Sequence, residues 1–112
     1  MSFSVTELLK YIQKDQQDLG MGELTYLISG ENSPEMNSTL YTNRGVILWT
    51  SGQIQEAFED FEKSLENNHL NYLSYYNLHS LYAFGNKNVD ALKNLCCALS
   101  CLHLLRFKTT NN

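Results

Sequence analysis

The sequence contains a single proline, three cysteines and no long apolar run. Proline breaks helix interiors because it lacks a backbone donor, so its scarcity favours a helical chain. No stretch of about 18 apolar residues occurs, and we expect no membrane-spanning helix. The N-terminus has neither a basic region nor an apolar core, so we also expect no signal peptide.

Basic residues are outnumbered: 8 Lys and Arg stand against 12 Asp and Glu, a net charge of −4. General nucleic-acid binding needs a positively charged face, and this balance argues against it. The 43% hydrophobic and 18% charged residues are typical of one globular domain. One acidic cluster is predicted to lie on a solvated helix face: Glu56, Glu59, Asp60, Glu62 and Glu66.

The three cysteines, Cys96, Cys97 and Cys101, lie within six residues. An odd number at this spacing does not predict a disulfide framework. A zinc site needs about four ligands, and the only nearby candidate, His103, falls on another helix face. We therefore expect no metal, no cofactor, and reduced thiols in a cytoplasmic protein.

Catalytic motifs are also missing. The chain has no nucleophile elbow, no phosphate-binding loop, no paired metal-ligand histidines and no dinucleotide fingerprint. His79 could approach a cysteine and activate it as a nucleophile, but a packed helical layer offers no oxyanion donors. We expect no enzymatic activity.

The first third of the chain is predicted to form a helix pair. Apolar side chains recur at helical spacing in residues 3–18, which indicates one buried stripe. Gly20 and Gly22 then interrupt the pattern, and a shorter helix is expected over 21–29. A turn follows at 30–34, where Ser33 can cap the next helix and Pro34 can open it.

The rest of the chain repeats with a period of 34 residues. Residues 38–71 align with 72–105, and each unit breaks near a glycine, with Gly85 one residue out of register with Gly52. A helix-turn-helix unit of this length is typical of one repeat family. The matched pairs include Tyr41 with Tyr75, Asn43 with Asn77, Ala57 with Ala91, Phe61 with Leu95, Ser64 with Ala98, Leu65 with Leu99 and His69 with His103.

These units resemble the tetratricopeptide repeat family, whose pattern is an aromatic, Leu-Gly, Tyr, a turn glycine, then Ala, Phe and Ala. The resemblance implies that Gly45 and Ala57 lie where the two helices of a unit cross closely, with Phe61 filling the space beyond. The second unit departs from the pattern at His79, where a small residue is expected. The matching residues of the first unit are Tyr41, Gly45, Leu48, Gly52, Ala57, Phe61, Ser64 and Leu65.

The resemblance implies an all-α fold, a tetratricopeptide-like right-handed superhelix of antiparallel helix pairs. We expect one domain over 1–112, with a degenerate N-terminal helix pair in 1–34 and a short polar tail at 106–112. In that helix pair Gly22, Tyr26 and Ser29 are expected to echo Ala57, Phe61 and Ser64. About six helices are predicted, at 3–18, 21–29, 35–50, 53–67, 70–84 and 88–107.

In such proteins the first helix of each unit lines a concave groove that receives a partner segment. Asn43 and Asn77 lie one repeat apart, and an amide can both donate to and accept from a peptide backbone. The alternative is that each asparagine faces solvent. The predicted groove residues are Thr39, Asn43, Val46, Trp49, Leu73, Tyr76, Asn77 and Phe84.

Residues 40–44 are similar to a repeat of the carboxylate-clamp proteins, which hold the acidic tails of cytosolic heat-shock chaperones. That clamp needs cations from the next unit, where this chain has Leu73 and Asn77. Without charge-assisted hydrogen bonds we expect no clamp. The groove should prefer an apolar or amphipathic segment held by aromatic anchors, although core packing is the alternative for Trp49 and Phe84.

The last helix is unusually apolar. A stripe of Leu92, Leu95, Leu99 and Leu102 is expected to face the preceding helices. No capping helix is predicted after it, so its other side is expected to be covered by a partner or by a second copy in a homodimer. That association surface comprises Cys97, Cys101, Leu104 and Phe107.

The sequence therefore predicts a protein–protein interaction module, an adaptor or small chaperone that binds an apolar or amphipathic peptide or helix in its groove. Small secretion chaperones are similar in size and repeat type. The alternative is a self-associating structural subunit of a complex that uses the last helix as its interface.

Overall fold

The computed structural model describes the backbone of residues 5–110 and the side chains of 10, 13, 14 and 16–107. This part of the chain is all helical, as predicted, with five helices and no strand. The predicted buried stripe in 3–18 falls mostly on side chains outside the described residues. The helices are α1 (Val5–Ile28), α2 (Pro34–Thr50), α3 (Ile54–Asn67), α4 (Tyr72–Phe84) and α5 (Asn88–Thr110).

A single helix, α1, replaces the predicted N-terminal helix pair. Glycine in a helix interior costs ~1 kcal/mol but does not force a break. A Cβ on Gly20 would lie 3.2 Å from Cδ1 of Ile47, so this glycine permits close approach of α1 to α2. The predicted correspondence of Tyr26 with Phe61 is also wrong, since Tyr26 is 78% exposed and Phe61 is fully buried.

The other four helices form two successive pairs. Ser33 caps α2 by accepting a hydrogen bond from the backbone N–H of Met36 at 3.1 Å, and Pro34 opens the helix, as predicted. α2 packs mainly on α3, α4 packs mainly on α5, and α3 joins the two pairs through α4. α1 lies against α2 and is antiparallel to it, with Gln17 beside Thr50.

The turns inside the two pairs have the same backbone geometry 34 residues apart. Gly52 has φ +84° and Asn86 has φ +61°, both left-handed, a conformation that glycine and asparagine tolerate best. In both turns the residue after the left-handed one donates its N–H to a carbonyl five residues earlier, at 2.8 and 2.9 Å. The left-handed residue therefore recurs after one 34-residue period. In the second turn this residue is Asn86, and not the neighbouring Gly85.

The first pair packs as predicted around Gly45 and Phe61. A Cβ on Gly45 would lie 2.6 Å from Cε1 of Phe61, so only glycine fits there. Ala57 and Phe61 are both fully buried. Their core cluster also contains Leu48, Leu78 and Leu81, with Met21, Trp49, Phe58, Leu65 and Tyr82 packed against it.

In the second pair, different side chains occupy the positions at which the two helices cross. His79 stands where the first pair has Gly45, and Leu95 stands where it has Phe61. The His79 Nδ1 atom lies 2.9 Å from the carbonyl oxygen of Ala91, which satisfies one ring nitrogen inside the pair. A larger residue on α4 is thus matched by a smaller one on α5.

The two pairs meet at a buried hydroxyl cluster. Thr42 Oγ1 lies 2.7 Å from both Ser64 Oγ and Ser74 Oγ, and Ser38 Oγ lies 2.9 Å from Ser64 Oγ. The Asn71 amide nitrogen donates to Ser38 Oγ at 2.8 Å. Because every described buried side-chain N and O atom has a partner, this cluster joins α2, α3 and α4 without an uncompensated polar group.

One member of the acidic cluster does not lie on the solvated face. Asp60 is buried and accepts two hydrogen bonds from Arg44, at 2.7 Å from Nε and 2.9 Å from Nη2. Hydrogen bonding to Asp60 is the main cause that raises the pKa of Arg44. Arg44 Nη1 also reaches Thr25 Oγ1 at 3.4 Å, so this cation links α1, α2 and α3.

Candidate functional site

One face of α2 is open, and it carries three of the predicted groove residues. Thr39, Asn43 and Val46 follow one another at i, i+4 and i+7, so they share this face, and all three are exposed. Thr39 donates its hydroxyl to the carbonyl of Glu35 at 3.2 Å. Asn43 makes no side-chain hydrogen bond within the described part of the chain, which leaves its amide available to a ligand.

The corresponding face of α4 is more apolar. Leu73 and Tyr76 are exposed, and Asn77 is half-buried. The Asn77 Nδ2 atom donates to the carbonyl of Leu73 at 2.8 Å. This bond uses one of its two amide hydrogens and leaves the other hydrogen and the carbonyl oxygen. The two repeat-related asparagines are therefore both usable, but Asn77 is held in one orientation.

The two predicted aromatic anchors differ. Trp49 is half-buried and packs against the core cluster, which favours the core-packing alternative for this residue. Phe84 is 82% exposed at the end of α4, which leaves nearly the whole ring available to a ligand.

Phe84 also borders an apolar cavity of 230 Å³ between the start of α3 and the end of α4. Inside it the rings of Phe58 and Tyr82 lie 5.1 Å apart at a tilt of 56°. The spacing of residues in the sequence does not predict this cavity, because its walls come from two helices that only the fold brings together. Its lining residues are Ile54, Phe58, Leu81, Tyr82, Phe84, Gly85 and Lys87.

A second, more open cleft of 530 Å³ lies between α1 and α2, and its lining is about half polar and half apolar. It is lined by Gln13, Gln16, Gln17, Ile47 and Thr50. Gln17 donates to Thr50 Oγ1 at 3.1 Å. The three glutamines recur at i, i+3 and i+4, a spacing that places them on one helix side. That spacing is visible in the sequence, and it could have indicated the cleft.

The predicted association surface on α5 is only partly open. Cys97, Leu104 and Phe107 are exposed. Cys101 is buried, with its Sγ 3.7 Å from the carbonyl oxygen of His69, so its place in that surface is wrong.

The leucine stripe of α5 also differs from its prediction. Leu92, Leu99 and Leu102 are exposed and Leu95 is half-buried, whereas the buried residues of α5 are Ala91, Ala98 and Cys101. Small side chains let α5 approach α4 closely, and the larger leucines are displaced to the flank.

Burial and the neighbouring Cys97 raise the pKa of the Cys101 thiol. Because the thiolate is the reactive form, we expect maleimide near neutral pH to modify two of the three cysteines quickly and Cys101 only on unfolding. Mass spectrometry of a labelling time course checks this. Cys101→Ser should abolish the slow step, whereas fast labelling of Cys101 in the folded protein would contradict its burial and would restore it as a candidate nucleophile.

Within residues 5–110, no three His, Cys, Asp or Glu side chains of the described set are grouped so that they could hold a metal ion. Over the same part of the chain, none of the helices combines the length and the hydropathy needed to cross a bilayer. No protein-family model, curated protein or solved structure matches the chain.

Proposed function

We propose that this protein is a cytoplasmic interaction module of the tetratricopeptide type, an adaptor or small chaperone. Its groove, formed by the open faces of α2 and α4, binds an apolar or amphipathic segment of another protein. The observation that carries the proposal is the row of uncovered apolar side chains on α4. Leu73, Tyr76 and Phe84 share one face of this helix by their spacing and are all exposed.

The repeat assignment is supported by the two turns with equal hydrogen bonding 34 residues apart and by the Gly45–Phe61 contact. In this proposal α2–α3 and α4–α5 are two complete units of a right-handed superhelix. Helix α1, antiparallel to α2, takes the place of the second helix of a preceding unit.

The chemistry of the groove favours an apolar ligand over an acidic one. Among the described residues of α2 and α4 the only Lys or Arg is Arg44, and its guanidinium is engaged by Asp60. A carboxylate placed in the groove would lose hydration without gaining charge-assisted hydrogen bonds. We therefore propose that the groove does not bind the acidic tails of chaperones.

The polar groups beside the apolar row suit a peptide backbone. Asn43 and Asn77 offer amide donors and acceptors on α2 and α4, and Gln16 of α1 offers another in the cleft between α1 and α2. Buried aromatic contacts supply most of the binding energy in such interfaces, whereas the amides set the register of the bound segment. An exposed ring such as Tyr76 is therefore the expected energetic centre.

The test begins with capture of a partner from native extract, followed by titration of the purified partner segment. Tyr76→Ala is expected to weaken binding by roughly 30-fold, the effect of losing a hot-spot aromatic of about 2 kcal/mol. Asn43→Ala combined with Asn77→Ala should reduce capture in the extract, because the amides that set the register of the bound segment are lost. Calorimetry or fluorescence anisotropy measures both.

Glu62→Ala on the exposed side of α3 is the matched control and should leave the affinity unchanged. Equal affinity of wild type, the Tyr76 variant and the double amide variant would overturn the groove as the binding site. Self-association through the last helix is kept as a second candidate function, because Leu92 and Leu99 are exposed on α5.

A further inference from the structure

The apolar cavity between α3 and α4 runs from a buried floor to an open mouth. Leu81 at its floor is 4% exposed, whereas Ile54 and Phe84 at its mouth are 38% and 82% exposed. The half-buried rings of Phe58 and Tyr82 form its walls. A ligand can therefore enter from solvent beside Phe84 and bury an apolar group against Leu81.

The volume of the cavity limits its occupant to a small molecule. At ~30 Å³ for each non-hydrogen atom, the share of a water molecule in the liquid, the cavity holds about eight such atoms in its 230 Å³. A benzene ring with a short carbon chain is of this size. A ring also suits the walls, because Phe58 and Tyr82 already pack at a tilt of 56° and a third ring can meet them edge to face.

The charge at the mouth favours an anion. Among the described residues that line the cavity, the only charged one is Lys87, which makes no ion pair within the described part of the chain. Lys87 directly precedes α5, and the first backbone N–H groups of a helix lack acceptors inside it and attract anions. The acidic residues in the first turns of α3 and α5, Glu56 and Asp90, do not line the cavity. An anionic group at the mouth therefore gains a charge contact while the attached ring fills the interior.

We propose that this cavity binds a small aromatic carboxylate of the size of 3-phenylpropionate as a free molecule. Its ring lies against Phe58, Leu81 and Tyr82, and its carboxylate lies beside the ammonium group of Lys87. This site goes beyond the binding of a protein segment by the open faces of α2 and α4, although Phe84 borders both. It is tested with the purified chain and no partner, so each proposal can fail without the other.

The first test is calorimetric titration of the full chain with 3-phenylpropionate and with 3-phenylpropanol, which keeps the ring and chain but has no charge. The acid is expected to bind with a Kd below about 1 mM, which a ligand of this size can reach. It should bind about fivefold more tightly than the alcohol, the effect of one solvent-exposed charge contact at a helix N-terminus.

The variant Lys87→Met should abolish this difference by weakening the acid alone. The matched control is Lys93→Met, which removes an exposed lysine of α5 that does not line the cavity and should keep the difference. Equal affinities of acid and alcohol for the wild type, an equal loss in the two lysine variants, or no saturable binding of the acid would overturn the proposal.

The second test locates the ligand by amide NMR spectra of the full chain titrated with 3-phenylpropionate. The largest shift changes are expected at the backbone amides of Gly85 and Lys87. Phe84→Ala should weaken the acid and the alcohol alike, because it removes a wall of the mouth, and its circular dichroism should stay helical since Phe84 is exposed. Largest changes at Leu73 and Tyr76 would place the ligand in the groove instead and contradict the proposed site, as would unchanged binding by Phe84→Ala.

Discussion

Phe61→Ala is expected to lower the free energy of unfolding by about 3–5 kcal/mol, the cost of removing a fully buried aromatic and leaving a cavity. Phe61 has no exposed surface. Its ring fills the space left by the missing Cβ of Gly45, so α2 and α3 both lose their central contact. The total free energy of unfolding of a domain is about 5–15 kcal/mol. The variant should therefore be only marginally folded. Urea denaturation followed by circular dichroism measures the loss.

The matched control is Leu95→Ala, at the repeat-equivalent position of the second pair. Leu95 is half-buried, so a smaller cavity results and the expected loss is about 2 kcal/mol or less. If Leu95→Ala costs as much as Phe61→Ala, the first pair is not the better-packed centre of the molecule.

Arg44→Met is expected to cost about 3–5 kcal/mol, because it leaves the Asp60 carboxylate buried without its partner. The Asp60 side chain is 4% exposed and that of Arg44 is 18% exposed. The same loss should not follow from Asp60→Asn, since the exposed part of the Arg44 head can be hydrated in that variant. The hydrogen bond to Asp60 raises the pKa of Arg44, and a guanidinium is charged at any pH used for denaturation with or without this bond.

The double variant Arg44→Met/Asp60→Leu distinguishes the cost of burying an unpaired charge from the net contribution of the ion pair to the free energy of unfolding. It should be more stable than Arg44→Met alone, because no unpaired charge remains in the interior. Both are measured in urea under the same buffer. A change of less than about 1 kcal/mol for Arg44→Met would mean that Asp60 is not buried as the structure shows.

The candidate site was partly predictable. The spacing of residues on α2 and α4 correctly indicated that Thr39, Asn43 and Val46 share an exposed face, and that Leu73 and Tyr76 share another. The burial of Trp49 was not predictable, because an aromatic at the end of a helix suits a groove and a core equally well. The apolar cavity beside Phe84 was missed because α3 and α4 build it together.

Two errors have one physical cause. The acidic neighbours of Asp60 predict a solvated face, but a bidentate arginine from α2 compensates its burial. The predicted inward leucine stripe places Cys101 on an open surface, but Cys101 is buried. In both cases the deciding partner lies outside the residue's own helix, on α2 for Asp60 and in the turn between α3 and α4 for Cys101, and periodicity within one helix carries no information about it.

The sequence by itself determined the local structure of this protein from residue 34 onward. Ser33 and Pro34 set the start of α2, the 34-residue period set the two pairs, and the Gly45 and Phe61 sizes set one helix crossing, because each depends on neighbours at known spacing. The tertiary structure decided the rest. It made α1 continuous, since Gly20 serves contact with Ile47, and it turned Leu92 and Leu99 outward, since alanines allow the closer packing of α5 on α4.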